Sequence, residues 1–484
     1  MTNNASYGAV ASDLPLCVDL DGTLLKTDTL YELVLGAIKN KPWLVFYLPI
    51  ALLKGKQHLK KFLSGHCDLN PELLPYNQKF LDFLIVQHKQ NRKLILATGC
   101  YETTANKIAA YLGIFTSVIA TNETINLTGK NKAQRLVQEF GAKGFDYAGN
   151  DTVDIPVWQQ CREALLVNCT RLNKKIITQR IVFVNTFDEK FFGIKPYIKA
   201  IRLHQWAKNA LLIISALTAQ TLFSQGVALI LALAFLAFGC CASFSYIVND
   251  LLDLEADRQH HTKKYRPFAS GVVSIMEGVG LAMILLLLTV ILALQLNSWF
   301  RTLLLLYFIT TNLYSFKLKA IPILDVAVLA GLYTLRVIAG SVAISLDPSF
   351  WLIAFSAFLF FSLAIVKRLS ELLHLAKNSN KPVKARGYVV EDISTLQSLG
   401  GASAIAAVLV LSLYIDSHAV QILYRSPRHL WLLCPVILVW LGRVWLITGR
   451  GQMHDDPVVY ALKDRISWLI LGVGACVLIS AKFF

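Results

Sequence analysis

The spacing of polar and apolar positions changes character near residue 200. Up to about residue 195, short apolar runs alternate with charged residues, as in a soluble domain; beyond about residue 208, long apolar segments are broken only by short polar loops. The change predicts two domains, residues 1–190 and residues 191–484. In the second, nine segments approach the roughly 20 apolar residues that cross a bilayer. They lie near 210–225, 228–248, 275–296, 300–316, 322–343, 351–367, 398–415, 429–447 and 466–483, the first diluted by Thr218, Gln220 and Thr221.

Composition agrees with this pattern. A chain of 484 residues with 55% hydrophobic residues is too apolar to be soluble throughout and reads as a polytopic membrane protein. The net charge of +16 is not arranged in the basic runs of nucleic-acid binders, so no nucleic-acid partner is expected. Much of it borders the predicted spans, which points to membrane lipids with anionic head groups and to phosphorylated substrates. The nine cysteines have no CxxC and no regular spacing, and read as reduced packing residues. The start, MTNNASYGAVASD, has no basic stretch followed by an apolar core, so the first domain is expected in the cytoplasm. Nine spans then put the loops at 249–274, 317–321, 368–396 and 448–465 on that side. These hold most of the loop Lys and Arg, as the positive-inside rule requires.

The loop after the second span opens NDLLDLEADRQHHTKKYRPFASG. If the helix continues past the membrane edge, Asn249, Asp250, Asp253 and Asp257 share one face over two turns. Stacked carboxylates repel one another unless a cation neutralises them, and oxygen ligands that leave room for phosphates suit Mg²⁺. Lys264 and Arg266 are then placed to take phosphate oxygens beyond the metal's reach. This pattern resembles the first aspartate motif of the UbiA superfamily of intramembrane prenyltransferases. The resemblance implies a nine-helix membrane domain, a lipid-open cavity, an isoprenoid substrate and Mg²⁺ under a cytoplasmic cap.

In the second motif, YSFKLKAIPILDVAVLAGLYTLRVIAG supplies Tyr314, Lys317, Lys319 and Asp325, but Leu329 stands where many members carry a further acid. Arg336 follows Asp325 by three helical turns, and a buried arginine calls for an anion: a substrate phosphate, or structurally Asp325 or a helix carbonyl. Further stretches resemble the decaprenyl-phosphate phosphoribosyltransferase branch. They are IRLHQWAKNALL with Lys208 and Asn209, SLAIVKRLSEL with Lys367 and Arg368, ARGY with Arg386, and DDPVVYALKDRIS. That branch implies phosphoribosyl pyrophosphate as the electrophile and a polyprenyl phosphate as the nucleophile. Lys367, Arg368 and Arg386 are candidates for the 5-phosphate, with a juxtamembrane anchoring role as the alternative for each.

In the first domain, LCVDLDGTLLKTD is an apolar strand ending on Asp19, followed by Asp21, Gly22 and Thr23. Such a strand exposes its carboxylate at the carboxyl edge of a parallel sheet. The stretch resembles the first motif of the haloacid dehalogenase-like (HAD) phosphatases. That implies an α/β domain of Rossmann type with a small helical cap, Asp19 as nucleophile and Asp21 as acid/base. Thr98 matches the phosphate-binding hydroxyl and Lys132 the neutralising lysine, with Lys130 as an alternative. Asp154 and Asp151 match the metal-binding acids, which with Asp19 and Asp21 would complete a Mg²⁺ site; Asn150 stands where the usual first acid is. The run KPWLVFYLPIALLKG falls in the cap region; it is too short to span and is expected to pack in the cap or dip into the membrane interface.

Together these features predict a bifunctional enzyme that makes polyprenyl-phosphate ribose species and is compatible with a homo-oligomer. Its rivals are prenyl transfer to a small acceptor, a non-catalytic first domain, and a transporter. The last is disfavoured because the charges gather at one membrane face.

Overall fold

The computed structural model describes residues 14–188, 193–378, 387–453 and 456–483. The chain forms two compact units, one of Met1–Ile201 with Ile247–Leu281 and one of Arg202–Tyr246 with Ala282–Phe484.

The first unit is built on a six-stranded, all-parallel sheet. Its strands are β1 (Leu16–Val18), β2 (Leu94–Tyr101), β3 (Ser117–Thr121), β4 (Asp146–Gly149), β5 (Ala164–Val167) and β6 (Phe183–Phe187), in the order β3-β2-β1-β4-β5-β6. The strands are apolar on both faces because both are covered. Leu16, Val18, Leu94 and Leu96 pack into one layer with Phe80 and Ile108. Their alternates Cys17, Ile95 and Ala97 pack into the other with Leu136, Tyr147 and Trp158. The acids sort by strand end. Asp146, at the amino end of β4, is held by Arg92 and Arg162 as a structural charge. Asp19 follows the carboxyl end of β1, between β2 and β4, where open α/β sheets place ligands.

Between β1 and β2 lies the small helical cap that the HAD resemblance implies. Its helices Thr29–Asn40, Leu48–Leu53 and Lys56–His66 close on Leu33, Ala37, Leu44, Ala51, Leu59 and Leu63.

Among the described residues, seven helices are long and apolar enough to cross a membrane. They are Val227–Leu252, Ile275–Leu294, Leu324–Ala343, Phe350–His374, Val390–Ile415, Pro427–Gly449 and Arg465–Phe483. Of the nine predicted, that at 300–316 is a helix, Ser298–Phe316, outside the seven; Thr310, Thr311, Asn312 and Ser315 make its second half polar. The first, at 210–225, departs further. It folds as a 3₁₀ stretch, Leu203–Ile213, and a short helix, Ile214–Thr218, and Gln220 ends it in the left-handed region at φ 56°. No disulfide joins the nine cysteines; six of them are buried as expected of packing residues, while Cys476 is exposed.

Candidate functional site

In the first unit, Asp19 leaves β1 into a tight turn that Gly22 closes at φ 74°. A Cβ at Gly22 would stand 2.2 Å from the Asn150 amide nitrogen, so only glycine fits there. Lys132 donates to Asp19 at 2.8 Å and to the Tyr147 hydroxyl at 2.9 Å, and that hydroxyl donates to Asp154 at 2.8 Å. Strands β1 and β4, the helix Lys130–Phe140 and the 3₁₀ turn Thr152–Asp154 thus bring Asp19, Lys132 and Asp154 together. Of the two candidate lysines it is Lys132 that reaches Asp19. Asp21 is turned aside: Thr29 binds both its oxygens, through its N–H at 2.8 Å and its hydroxyl at 3.2 Å.

Burial pushes the Asp19 carboxyl up to about 6 against the pull of Lys132. Burial, aided by the neighbouring charge of Asp28, pushes Asp21 up to about 8. Both acids border a cavity of 590 Å³ that Lys60, Lys132, Asn150, Asp151 and Asp154 also line. Thr98 stands differently from expectation: its buried hydroxyl accepts the Cys100 N–H at 3.0 Å, and the next residues, Gly99 to Tyr101, line the cavity. Asn150 accepts from Thr23 at 3.2 Å, and Asp151 from Asn173 at 3.0 Å.

Lys60 was not legible as a site residue. It comes from the cap and donates to the Gly99 carbonyl at 2.6 Å and to Asn126 at 3.1 Å. The only sequence signal is its place in a lysine-rich segment without acids.

The aspartate loop belongs to the same unit, and here the expectation of one continuous acidic face is corrected. Val227–Leu252 ends and a short helix, Leu254–Gln259, begins at Asp253, whose non-helical backbone (φ −99°, ψ 16°) breaks the row. Asp253 turns to Lys39 at 2.9 Å. Asp250 and Asp257 converge on a single nitrogen of Arg266, at 3.0 and 2.6 Å. Burial raises the Asp257 carboxyl in spite of that arginine. No three His, Cys, Asp or Glu side chains converge as a metal set among the described residues. The chemistry of the pair nevertheless fits Mg²⁺, which takes one or two carboxylates and completes its shell with phosphates and water. The point between the two acids already holds a positive group. Asn249 accepts from the Asp253 N–H through its carbonyl at 2.9 Å, and Lys264 lies 5.3 Å above the Tyr265 ring.

In the second unit, Asp325 is buried and takes Arg368, with which it pairs through Nε, and the Tyr388 hydroxyl at 2.6 Å. Arg368 also donates to Glu371 at 2.7 Å and to Tyr314 at 2.6 Å. That arrangement makes Arg368, one of the 5-phosphate candidates, the counter-charge of Asp325. Tyr388 also accepts the N–H of Ile323, a residue held at φ 65°, so the described part of the ARGY stretch acts as a brace. Lys317 is exposed and Lys319 partly so, at the loop before Asp325. Arg386 lies outside the described residues.

Lys208 and Lys367 both pair with Asp456, at 3.0 and 2.9 Å. Against the cost of burial, these two lysines hold the Asp456 carboxyl well below the usual carboxylate range. Arg336 is buried and, among the described residues, meets only neutral groups: Asn209 at 3.2 Å, the Leu332 carbonyl at 2.7 Å and the Tyr307 hydroxyl at 2.8 Å. Its guanidinium and the Lys208 ammonium lie 5.6 and 5.3 Å from the ring of Tyr333. Two lysines thus share one carboxylate and Arg336 has none among the described residues, an arrangement that attracts an anion.

The family model for UbiA prenyltransferases matches residues 210–463. The chain belongs to the UbiA prenyltransferase family. The relatives of this UbiA chain include the following three. The uncharacterized protein y4nM of Sinorhizobium fredii is 35% identical over 459 residues, 94% of this chain and 89% of its own length, so the match runs through both halves. The nodulation protein NoeC of Azorhizobium caulinodans is 33% identical over 57% of this chain and 90% of its own. The decaprenyl-phosphate phosphoribosyltransferase of Corynebacterium glutamicum is 36% identical over 56% of this chain and 81% of its own.

Proposed function

We propose that the chain is a bifunctional membrane enzyme. Residues 191–484 transfer 5-phosphoribose from phosphoribosyl pyrophosphate to a polyprenyl phosphate, and the HAD-like residues 1–190 remove the 5-phosphate from the lipid-linked product. The observation that carries the transferase half is a surplus of cations: Lys208 and Lys367 share Asp456, and buried Arg336 meets no carboxylate among the described residues. A lipid phosphate would balance them. The resemblance to named phosphoribosyltransferases supports the same substrate class.

In that reaction a lipid phosphate oxygen forms the bond to C1 of the ribose as the bond from C1 to pyrophosphate breaks. The nucleophile is already an anion and needs no general base, so the protein's part is alignment and relief of charge repulsion. Asp250 and Asp257 would hold Mg²⁺, which when bound supplies charge neutralisation at the departing pyrophosphate. Arg266, which pairs with both acids, and Lys264 would take phosphate oxygens. Asp253 is assigned to the loop's anchorage through Lys39.

In the phosphatase half, Asp19 attacks phosphorus while Asp21 protonates the leaving hydroxyl; water then opens the aspartyl-phosphate with Asp21 taking its proton. The raised Asp21 carboxyl supports that acid role. Asp19 and Asp154, with Asp151 at the rim, would hold a second Mg²⁺, and Lys132 neutralises the bound phosphate. In the same reading the active sites face the cytoplasm, and residues 203–218 with Ser298–Phe316 complete nine crossings.

The rival, prenyl transfer from a diphosphate, calls for a second acidic pair at the start of Leu324–Ala343. There Asp325 is consumed by Arg368 and Tyr388, and Leu329 stands one turn on.

The test incubates the purified full chain with phosphoribosyl pyrophosphate, Mg²⁺ and a polyprenyl phosphate, and weighs the lipid by mass spectrometry. A ribose-bearing lipid is expected, and Asp19→Asn should leave it heavier by one phosphate. A lipid that gains no sugar overturns the transferase half, and an unchanged Asp19→Asn product overturns the phosphatase half.

A further inference from the structure

The run from Pro42 to Leu53 turns one face inward and one face out. Leu44 and Ala51 are buried in the cap core. Trp43, Tyr47 and Ile50 are more than half exposed, Phe46 is 79% exposed and Leu53 88%. So much outward apolar surface on twelve residues marks an interaction site. Between Leu33 and Cys67 the chain has Lys39, Lys41, Lys54, Lys56, Lys60 and Lys61 and no Asp or Glu; Lys39 pairs with Asp253 and Lys61 with Glu123, and the remaining lysines keep the surroundings positive. Lys54 and Lys56 are exposed beside the apolar face. An amphipathic segment with aromatic and leucine side chains outward and lysines at its margin is the pattern of an interfacial membrane anchor.

The cavity says which partner the face meets. Its polar floor holds Asp19, Asp21 and Lys132, and its wall is apolar, formed by Leu30, Leu33, Leu52 and Leu59 from the cap and by Ile275 and Met276. Leu52 belongs to the outward run; Ile275 and Met276 open a helix long and apolar enough to enter the membrane. One cavity therefore joins the phosphate-ester chemistry, the exposed apolar run and the start of a membrane helix, all within one compact unit.

We propose that residues 42–53 dock on an anionic bilayer surface and hold the Asp19 cavity open to it, so that its substrate is a phosphate ester whose lipid chain stays in the membrane. The substrate part rests on the phosphatase reading above; the docking part does not. The phosphate reaches Lys132 and Lys60 from the membrane side, and the apolar wall accepts the first part of the lipid.

Two measurements on the full chain separate the parts. In vesicles of phosphatidylcholine and phosphatidylglycerol, a photo-crosslinking benzoylphenylalanine placed at Phe46 or Leu53 should form lipid adducts, seen by mass spectrometry. The same group at Val182, 91% exposed on the loop before β6, should form none. Adducts no more frequent than at Val182, or adducts to a second copy of the chain, overturn the docking. In the second arm, Phe46→Ser with Leu53→Ser should leave hydrolysis of para-nitrophenyl phosphate within twofold and lower hydrolysis of a polyprenyl-linked phosphoribose at least tenfold. Equal loss on both esters overturns the substrate assignment. If the unaltered chain hydrolyses neither ester, the phosphatase reading fails, and lipid adducts at Phe46 and Leu53 still decide the docking.

Discussion

Arg258 donates to both carboxylate oxygens of Glu32, at 2.6 and 3.1 Å, with both side chains buried. Glu32 also accepts from Thr27 at 2.8 Å, and Arg258 donates to the Ala269 carbonyl at 3.0 Å. The pair lies between two groups of acids: Glu32 is one turn beyond Thr29, which binds Asp21, and Arg258 follows Asp257. Removing one partner strands a buried charge, which costs about 3–5 kcal/mol, whereas an apolar replacement of both is far milder. Glu32→Gln or Arg258→Met should therefore lower the thermal midpoint of the detergent-solubilised chain, and Glu32→Leu with Arg258→Met should recover most of it. Midpoints unmoved by either single change would show the pair to be idle.

Hydrolysis at the Asp19 cavity should follow a bell-shaped pH profile. The nucleophile works ionised and the acid works protonated. Asp19, raised to about 6, gains activity as pH rises through that value; Asp21, raised to about 8, loses it as pH passes above. The optimum of kcat/KM on a phosphate ester is thus expected between about 6 and 8. A flat profile from 5 to 9 would contradict the assignment of both acids.

How far the sequence carries depends on the range of the interaction. Asp19 could be found because it ends an apolar strand that its own neighbours define, whereas Lys132 and Asp154 were found through the resemblance to the HAD motifs. The sheet's parity was equally local, since every second residue of Leu16–Val18 and Leu94–Ala97 faces the same layer. The ion pairs were not legible. Arg368 finds Asp325 across 43 positions, Lys367 finds Asp456 across 89, and Lys208 finds it across 248. No periodicity connects such residues, and a lysine at a helix end reads the same whether it awaits a phosphate or already has a carboxylate. The break at Asp253 was hidden for a related reason, because the i, i+3 and i+7 spacing of the acids suits an unbroken helix and only Lys39 and Arg266 show otherwise.

Arg336 offers the sharpest test of the anion proposal, since no carboxylate holds it among the described residues. Arg336→Gln keeps hydrogen-bonding capacity toward Asn209 and Tyr307 and removes the charge. The chain should still purify as a folded protein with a thermal midpoint close to that of the parent. A lost charge-assisted phosphate contact of about 1.5–3 kcal/mol predicts a KM for the polyprenyl phosphate raised by roughly ten- to a hundredfold. Steady-state kinetics against the lipid would read it, and a KM unchanged while kcat falls would move Arg336 away from lipid binding.

Asp456 holds two lysines, and its charge should matter to stability in one pH range only. Its folded carboxyl lies well below its ordinary value, so the stabilisation is fully present above the unfolded value of about 3.9 and is lost as pH falls further. Asp456→Asn leaves Lys208 and Lys367 facing each other without their shared anion. The variant should melt below the parent at pH 7 and by the same margin at pH 5, with the margin closing only under about pH 4. Added inorganic phosphate should narrow the gap at pH 7, because the two lysines then bind the anion that the substitution took away. A margin that closes between pH 7 and 5 would point to a titrating group other than this aspartate.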